Sequence, residues 1–247
     1  MAVSSAAVLG AVGGAGATRL AVEFGALLAR DDRDVAILDA AYATQGLARH
    51  VADRIDPDVT ALVTADDPTL ADALSDHPLD VPGRLALCPA HAPFERIARA
   101  KAPEAARAFE DLVAQAAADF DHVLLDVPPV AANQSVAAVT TAERVCVAYP
   151  PTDRGVDALQ RTRGRLADVG AGADLVVANR ADPDTVPPDA DHAIPASDAT
   201  TAAAAPSCLD AGDPMGPAVA DVVTALFETG LDVDVAGGLL DSARRRL

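Results

Sequence analysis

Six short apolar runs, separated by segments of helical periodicity, set the narrowest limit on what this chain can become. Residues 6–9, 35–38, 85–87, 123–125, 145–148 and 175–178 are apolar without interruption. Runs of that length, continuous rather than alternating, fit strands covered on both faces. Helices are expected over 18–30, 69–74, 104–118, 153–168 and 217–228. Within 104–118, Ala105, Ala108, Phe109, Leu112, Val113 and Ala116 return to one face. Strands alternating with helices predict an α/β fold: a mostly parallel sheet flanked by helices on both faces. Right-handed crossovers then place a ligand site at the C-terminal strand edge. Residues 181–188 are rich in Asp and Pro and read as a loop, and no boundary is visible before about residue 230. The reading is a single domain over 1–230 with a tail or short helix over 231–247.

Composition narrows the partners. The chain has 247 residues, 51% of them hydrophobic, enough for a large core and too many for a disordered chain. Only 3% are aromatic, none is Trp, and the net charge is −18. A base-stacking surface and attraction to a polyanion are both disfavoured, so no direct nucleic-acid partner is expected. The acids are 31 Asp and 6 Glu; the bases are 18 Arg and the single Lys101. This usage resembles proteins of salt-in halophiles, in which hydrated carboxylates keep the surface soluble and molar salt screens their repulsion within about 3 Å. Cys88, Cys146 and Cys208 are scattered, with no CxxC pair, which suits a reducing cytoplasm better than a zinc site. The N-terminus lacks the basic segment of a signal peptide, and no run approaches about 20 apolar residues. His50, His77, His91, His122 and His192 show no ligand spacing and read as surface residues.

The first strand runs into Gly10-Ala11-Val12-Gly13-Gly14-Ala15-Gly16-Ala17-Thr18-Arg19 before a helix. Glycines at such a turn bring successive amides toward an anion, and the helix N-terminus adds roughly half a positive charge. A strand-to-helix turn that binds nothing has the same composition. Further along stand Ile37-Leu38-Asp39-Ala40-Ala41 with Thr44-Gln45-Gly46-Leu47, then Asp121-His122-Val123-Leu124-Leu125-Asp126-Val127-Pro128-Pro129. Val176-Val177-Ala178-Asn179-Arg180 and Ala193-Ile194-Pro195 with Asp198 complete the series. In this order the five segments resemble the ParA/MinD family of deviant Walker P-loop ATPases, over about residues 3–228. The resemblance implies a P-loop NTPase-like fold and an ATP or ADP site with Mg²⁺. Gly13, Gly14, Gly16, Thr18, Arg19 and Asn179 would bind the nucleotide; Thr18, Asp39 and Asp126 would form a remnant magnesium site. Read without the family, Asp39 and Asp126 are strand-end carboxylates that cap the next turn, and Asn179 caps a loop.

The departures from the family pattern carry the functional expectation. Val12 stands where the family has its signature lysine, Ala17 at the Walker lysine, and Ala41 at the water-orienting carboxylate. Ala11 and Val130 replace glycines. Phosphoryl transfer depends on positioning and charge stabilisation, so these losses imply negligible hydrolysis and weak or no nucleotide binding. The resemblance then implies a pseudo-ATPase that regulates or positions other components through protein partners, possible active paralogues among them. The alternative is an active ATPase in which Arg19 replaces the lysines. Without the lysine at Val12, any homodimer is expected to form without nucleotide. Leu239, Leu240, Ala243 and Leu247 beside three arginines invite comparison with a membrane-binding helix, but the apolar face over 237–247 is small and membrane contact is not expected.

Overall fold

The computed structural model describes residues 4–231; the tail, including 237–247, lies outside the described residues. Eight strands form one sheet: β1 (Ser5–Gly10), β2 (Asp34–Asp39), β3 (Ser75–Asp76), β4 (Arg84–Cys88), β5 (His122–Val127), β6 (Arg144–Tyr149), β7 (Leu175–Asn179) and β8 (His192–Ile194). Their order is β3-β4-β2-β5-β1-β6-β7-β8, and every pairing is parallel except β3 with β4. The helices are α1 (Ala17–Arg30), α2 (Val59–Leu62), α3 (Phe94–Arg99), α4 (Pro103–Asp119), α5 (Asn133–Thr141), α6 (Asp153–Asp168) and α7 (Met215–Phe227).

Both sheet faces are covered, which is why the strands are apolar without alternation. In β1, Ala7 and Leu9 join the cluster with Phe109, Leu112 and Leu159 under α4 and α6. Ala6 and Val8 face Leu20, Phe24 and Leu27 of α1 and Val219 and Val222 of α7 on the other side. The period-two pleat thus divides one apolar run between two cores. Helix ends follow local chemistry: the Thr152 hydroxyl accepts from the Gly155 amide at 3.1 Å and caps α6, while α4 starts with Pro103 in its first turn.

All six expected strands form. The segment expected as a helix over 69–74 is instead a single 3₁₀ turn, Leu70–Ala73. Its neighbours Asp67-Pro68 and Ser75-Asp76 leave no room for a longer helix. Helices α2, α3 and α5 and strands β3 and β8 were not expected. The expectation that the histidines lie at the surface fails for His122, which is buried edge-to-face against Phe227 with ring centroids 4.6 Å apart. His50, His77 and His192 are half-buried, and His91 is exposed.

The core makes a direct prediction. Phe109 is fully buried and meets Tyr42 edge-to-face at 6.4 Å. Phe109→Ala should lower unfolding free energy by about 3–5 kcal/mol, measured by denaturant titration at fixed salt.

Candidate functional site

The sheet's C-terminal edge opens into a cleft of about 470 Å³, a size suited to a small-molecule ligand. Its floor is the loop after β1. The Ala11 amide extends the ladder to the Ala148 carbonyl at 2.9 Å, and the Ala15 amide closes a turn on the Val12 carbonyl at 3.1 Å. Gly14 and Gly16 have φ of 82° and 93°. A Cβ on Gly16 would stand 2.3 Å from Asn179 Nδ2, so the close approach of β7 requires glycine there. Around Gly13 and Gly14 an added Cβ would meet nothing within 4 Å, because this part of the loop faces the cleft.

Thr18, in the first turn of α1, lines the cleft beside Asp126 near the end of β5, where its hydroxyl favours the ionised carboxyl. Asp126 Oδ2 is buried without a hydrogen-bond partner. That orphaned oxygen beside a hydroxyl is a donor set suited to a divalent cation, and Thr18 and Asp126 would hold Mg²⁺ here. Burial, opposed by the nearby Thr18 hydroxyl, pushes the Asp126 carboxyl up to about 6. Asp39 is its register partner on β2, but the structure separates their roles. Asp39 is fully buried, is not among the cleft residues, and spends both oxygens on backbone amides, Ala41 at 2.6 Å and Ala90 at 3.1 Å. Burial, then the charge of Asp126, raises its pKa well above the usual carboxylate value. The turn-capping reading of Asp39 is the one its geometry supports.

Arg19 is committed elsewhere. Its Nε pairs with Glu23 one turn along α1, and its other nitrogens donate to the Ala199 carbonyl at 2.7 Å and the Ser207 hydroxyl at 3.0 Å. Glu23 is fully buried and also accepts the Ser207 amide on both oxygens at 3.0 Å and the Cys208 amide at 2.9 Å. The pair therefore pins the segment 197–208, which forms one wall of the cleft. The geometry gives Arg19 a scaffolding role, with Nε, Nη1 and Nη2 each held by a protein acceptor.

Asn179 is also used internally. Its Nδ2 donates to the Ala15 carbonyl at 2.8 Å and its Oδ1 accepts the Arg180 amide at 3.0 Å. Arg180 (φ 62°) reaches the Gly14 carbonyl at 3.2 Å. Sequence reasoning missed two cleft residues, this reach of Arg180 and the exposed Arg49. It also missed His50, whose pKa burial lowers to about 4, leaving it neutral at pH 7. At the lysine positions, Val12 packs half-buried against the apolar core and Ala17 offers only a methyl; Ala41 is buried.

The fold is that of the MinD and ParA P-loop ATPases. The cell division ATPase MinD of Pyrococcus furiosus superposes with a TM-score of 0.75 at 17% identity, covering 90% of this chain and 97% of that one. A ParA family ATPase from Chlorobium tepidum gives 0.71 at 18%, covering 90% and 99%. The MinC:MinD cell division complex of Aquifex aeolicus gives 0.74 at 20%, covering 94% and 98%. No protein-family profile matches the sequence, and no curated protein matches it.

Two predictions test these assignments. Arg19→Ala leaves Glu23 buried with amide donors alone and should cost about 2–4 kcal/mol of stability, read by urea unfolding. For Asp126, a carboxyl held above its unfolded value of 3.8 binds its proton more tightly in the folded chain. Its contribution to stability is greatest at low pH and is lost as pH rises through about 6. Asp126→Asn should therefore stabilise the metal-free chain by roughly 1–3 kcal/mol at neutral pH, with the difference closing in acid.

Proposed function

We propose that the chain is a degenerate MinD/ParA-like P-loop protein, a pseudo-ATPase that acts as a regulatory or positioning protein through protein partners. The observation that carries this reading is the absence of the catalytic charges from an otherwise formed cleft. Val12, Ala17 and Ala41 all line the cleft and offer it only apolar side chains. Loss of one such stabilising group commonly costs several powers of ten in rate, and three are gone. Binding is less affected than turnover, since open glycine-loop amides, a helix N-terminus and the Thr18–Asp126 pair remain. The Arg19 alternative is weakened by the bonds that hold Arg19 to Glu23, Ala199 and Ser207.

Partner binding is proposed because the fold is shared with MinD, which is seen in complex with MinC; an active paralogue is one candidate class. No helix among the described residues is long and apolar enough to cross a membrane. A cytoplasmic, salt-adapted protein whose self-association is independent of nucleotide completes the proposal.

Phosphate release from Mg-ATP at molar KCl should stay at the protein-free background. Magnesium-dependent turnover approaching about once per minute would show that the missing charges have been replaced.

A further inference from the structure

Of the cationic residues lining the cleft, Arg19, Arg49 and Arg180, only one has a guanidinium without a partner among the described residues. Arg19 is bound to Glu23, Ala199 and Ser207, and Arg180 to Gly14. Arg49 is exposed on the 3₁₀ turn Leu47–His50. That turn is seated against the α1 N-terminus: a Cβ on Gly46 would stand 2.9 Å from Thr18 Oγ1, and the Arg49 amide closes on the Gly46 carbonyl at 3.2 Å. Arg49 therefore lines the cleft three residues after Gly46, which packs on Thr18. In the same cleft, the amides of Gly13, Gly14 and Gly16 make no hydrogen bond among the described residues. The neighbouring His50 adds no charge at neutral pH. An uncommitted guanidinium, open amides and an orphaned carboxylate oxygen in one cavity match a polyphosphate with its divalent cation, since anion, amide donors and metal compensate one another.

We propose that Arg49, not Arg19, is the cation through which this cleft holds the polyphosphate part of its ligand. This rests on the reading of the cleft as a remnant nucleotide site and names the residue that replaces the lost lysines in binding, though not in catalysis. Guanidinium is suited to the role because it pairs bidentately with phosphate oxygens and remains charged at all working pH values. A contact pair of this kind persists in concentrated salt better than long-range attraction, because its charges lie within the Debye length of about 3 Å.

The test is calorimetric titration of the full chain with Mg-ATP and with magnesium tripolyphosphate, beside Arg49→Ala, Arg49→Lys and Arg161→Ala. Arg161 is an exposed residue of α6 and controls for net charge. Arg49→Ala should weaken both ligands by about tenfold or more, Arg49→Lys should recover most of that loss, and Arg161→Ala should change neither. Thermal melts of the exposed-site variants should superpose on the parent. Loss of ATP affinity without loss of tripolyphosphate affinity would overturn the assignment to the polyphosphate. Equal affinities for parent and Arg49→Ala, or no binding of either ligand by the parent, would also overturn it. None of these outcomes touches the pseudo-ATPase reading, which falls only on measured turnover.

Discussion

A carboxylate removed from water has to be neutralised where it stands, and Glu23 imposes that condition on the cleft. It lies inside α1 with no exposure, compensated by Arg19 and by the amides of Ser207 and Cys208. One group thus binds the first helix to the segment preceding α7. Because Arg19 also holds Ala199, the wall of the cleft takes its position from the same pair. Buried ion pairs often add little net stability, but removing one member strands the other. The arginine that follows the glycine loop in sequence is therefore committed to the protein for a structural reason, independent of any family comparison.

At the other side of the loop the balance is reversed. Asp39 and Asp126 end adjacent strands in register and are both buried. Asp39 is satisfied by two backbone amides, whereas Asp126 keeps an oxygen with no partner. With no lysine at 17, the local field there is that of carboxylates, and burial lifts both pKa values. Such an edge favours a cation first and an anion only through it or through a separate positive group. In general, a metal and amides can hold a phosphate without a fixed cation, whereas the developing charge of phosphoryl transfer needs one in place.

The sheet was legible because each central strand is apolar on both faces, a consequence of double coverage. What escaped was short or weakly patterned. Helix α5 carries Asn133, Gln134, Ser135, Thr140 and Thr141, residues that favour caps and turns, and β8 is a three-residue strand held by pairing with β7. That the glycine loop, Thr18 and Asp126 share one cleft could be read from the sequence because each follows or ends a strand at the same sheet edge. The pairing of Arg19 had a visible signal, since Glu23 follows at helical i,i+4 spacing. The reach of Arg180 and the freedom of Arg49 had none: each depends on which strand or turn the fold sets beside the loop.

Positions 12 and 17, where the family pattern has lysines, sit alike in the loop. Val12 is half-buried against the core beneath α4 and α6, and its carbonyl closes the turn with Ala15. A lysine there could lay its stem along that contact and carry its ammonium into the cleft, which Val12 lines. Ala17 is placed in the same way, half-buried against the other core cluster and lining the cleft at a helix start. Neither position has been taken into the core. Each keeps its place at the cleft and differs from the family pattern by an ammonium group alone, so the backbone cradle at the end of β1 does not depend on the charges that the pattern sets around it.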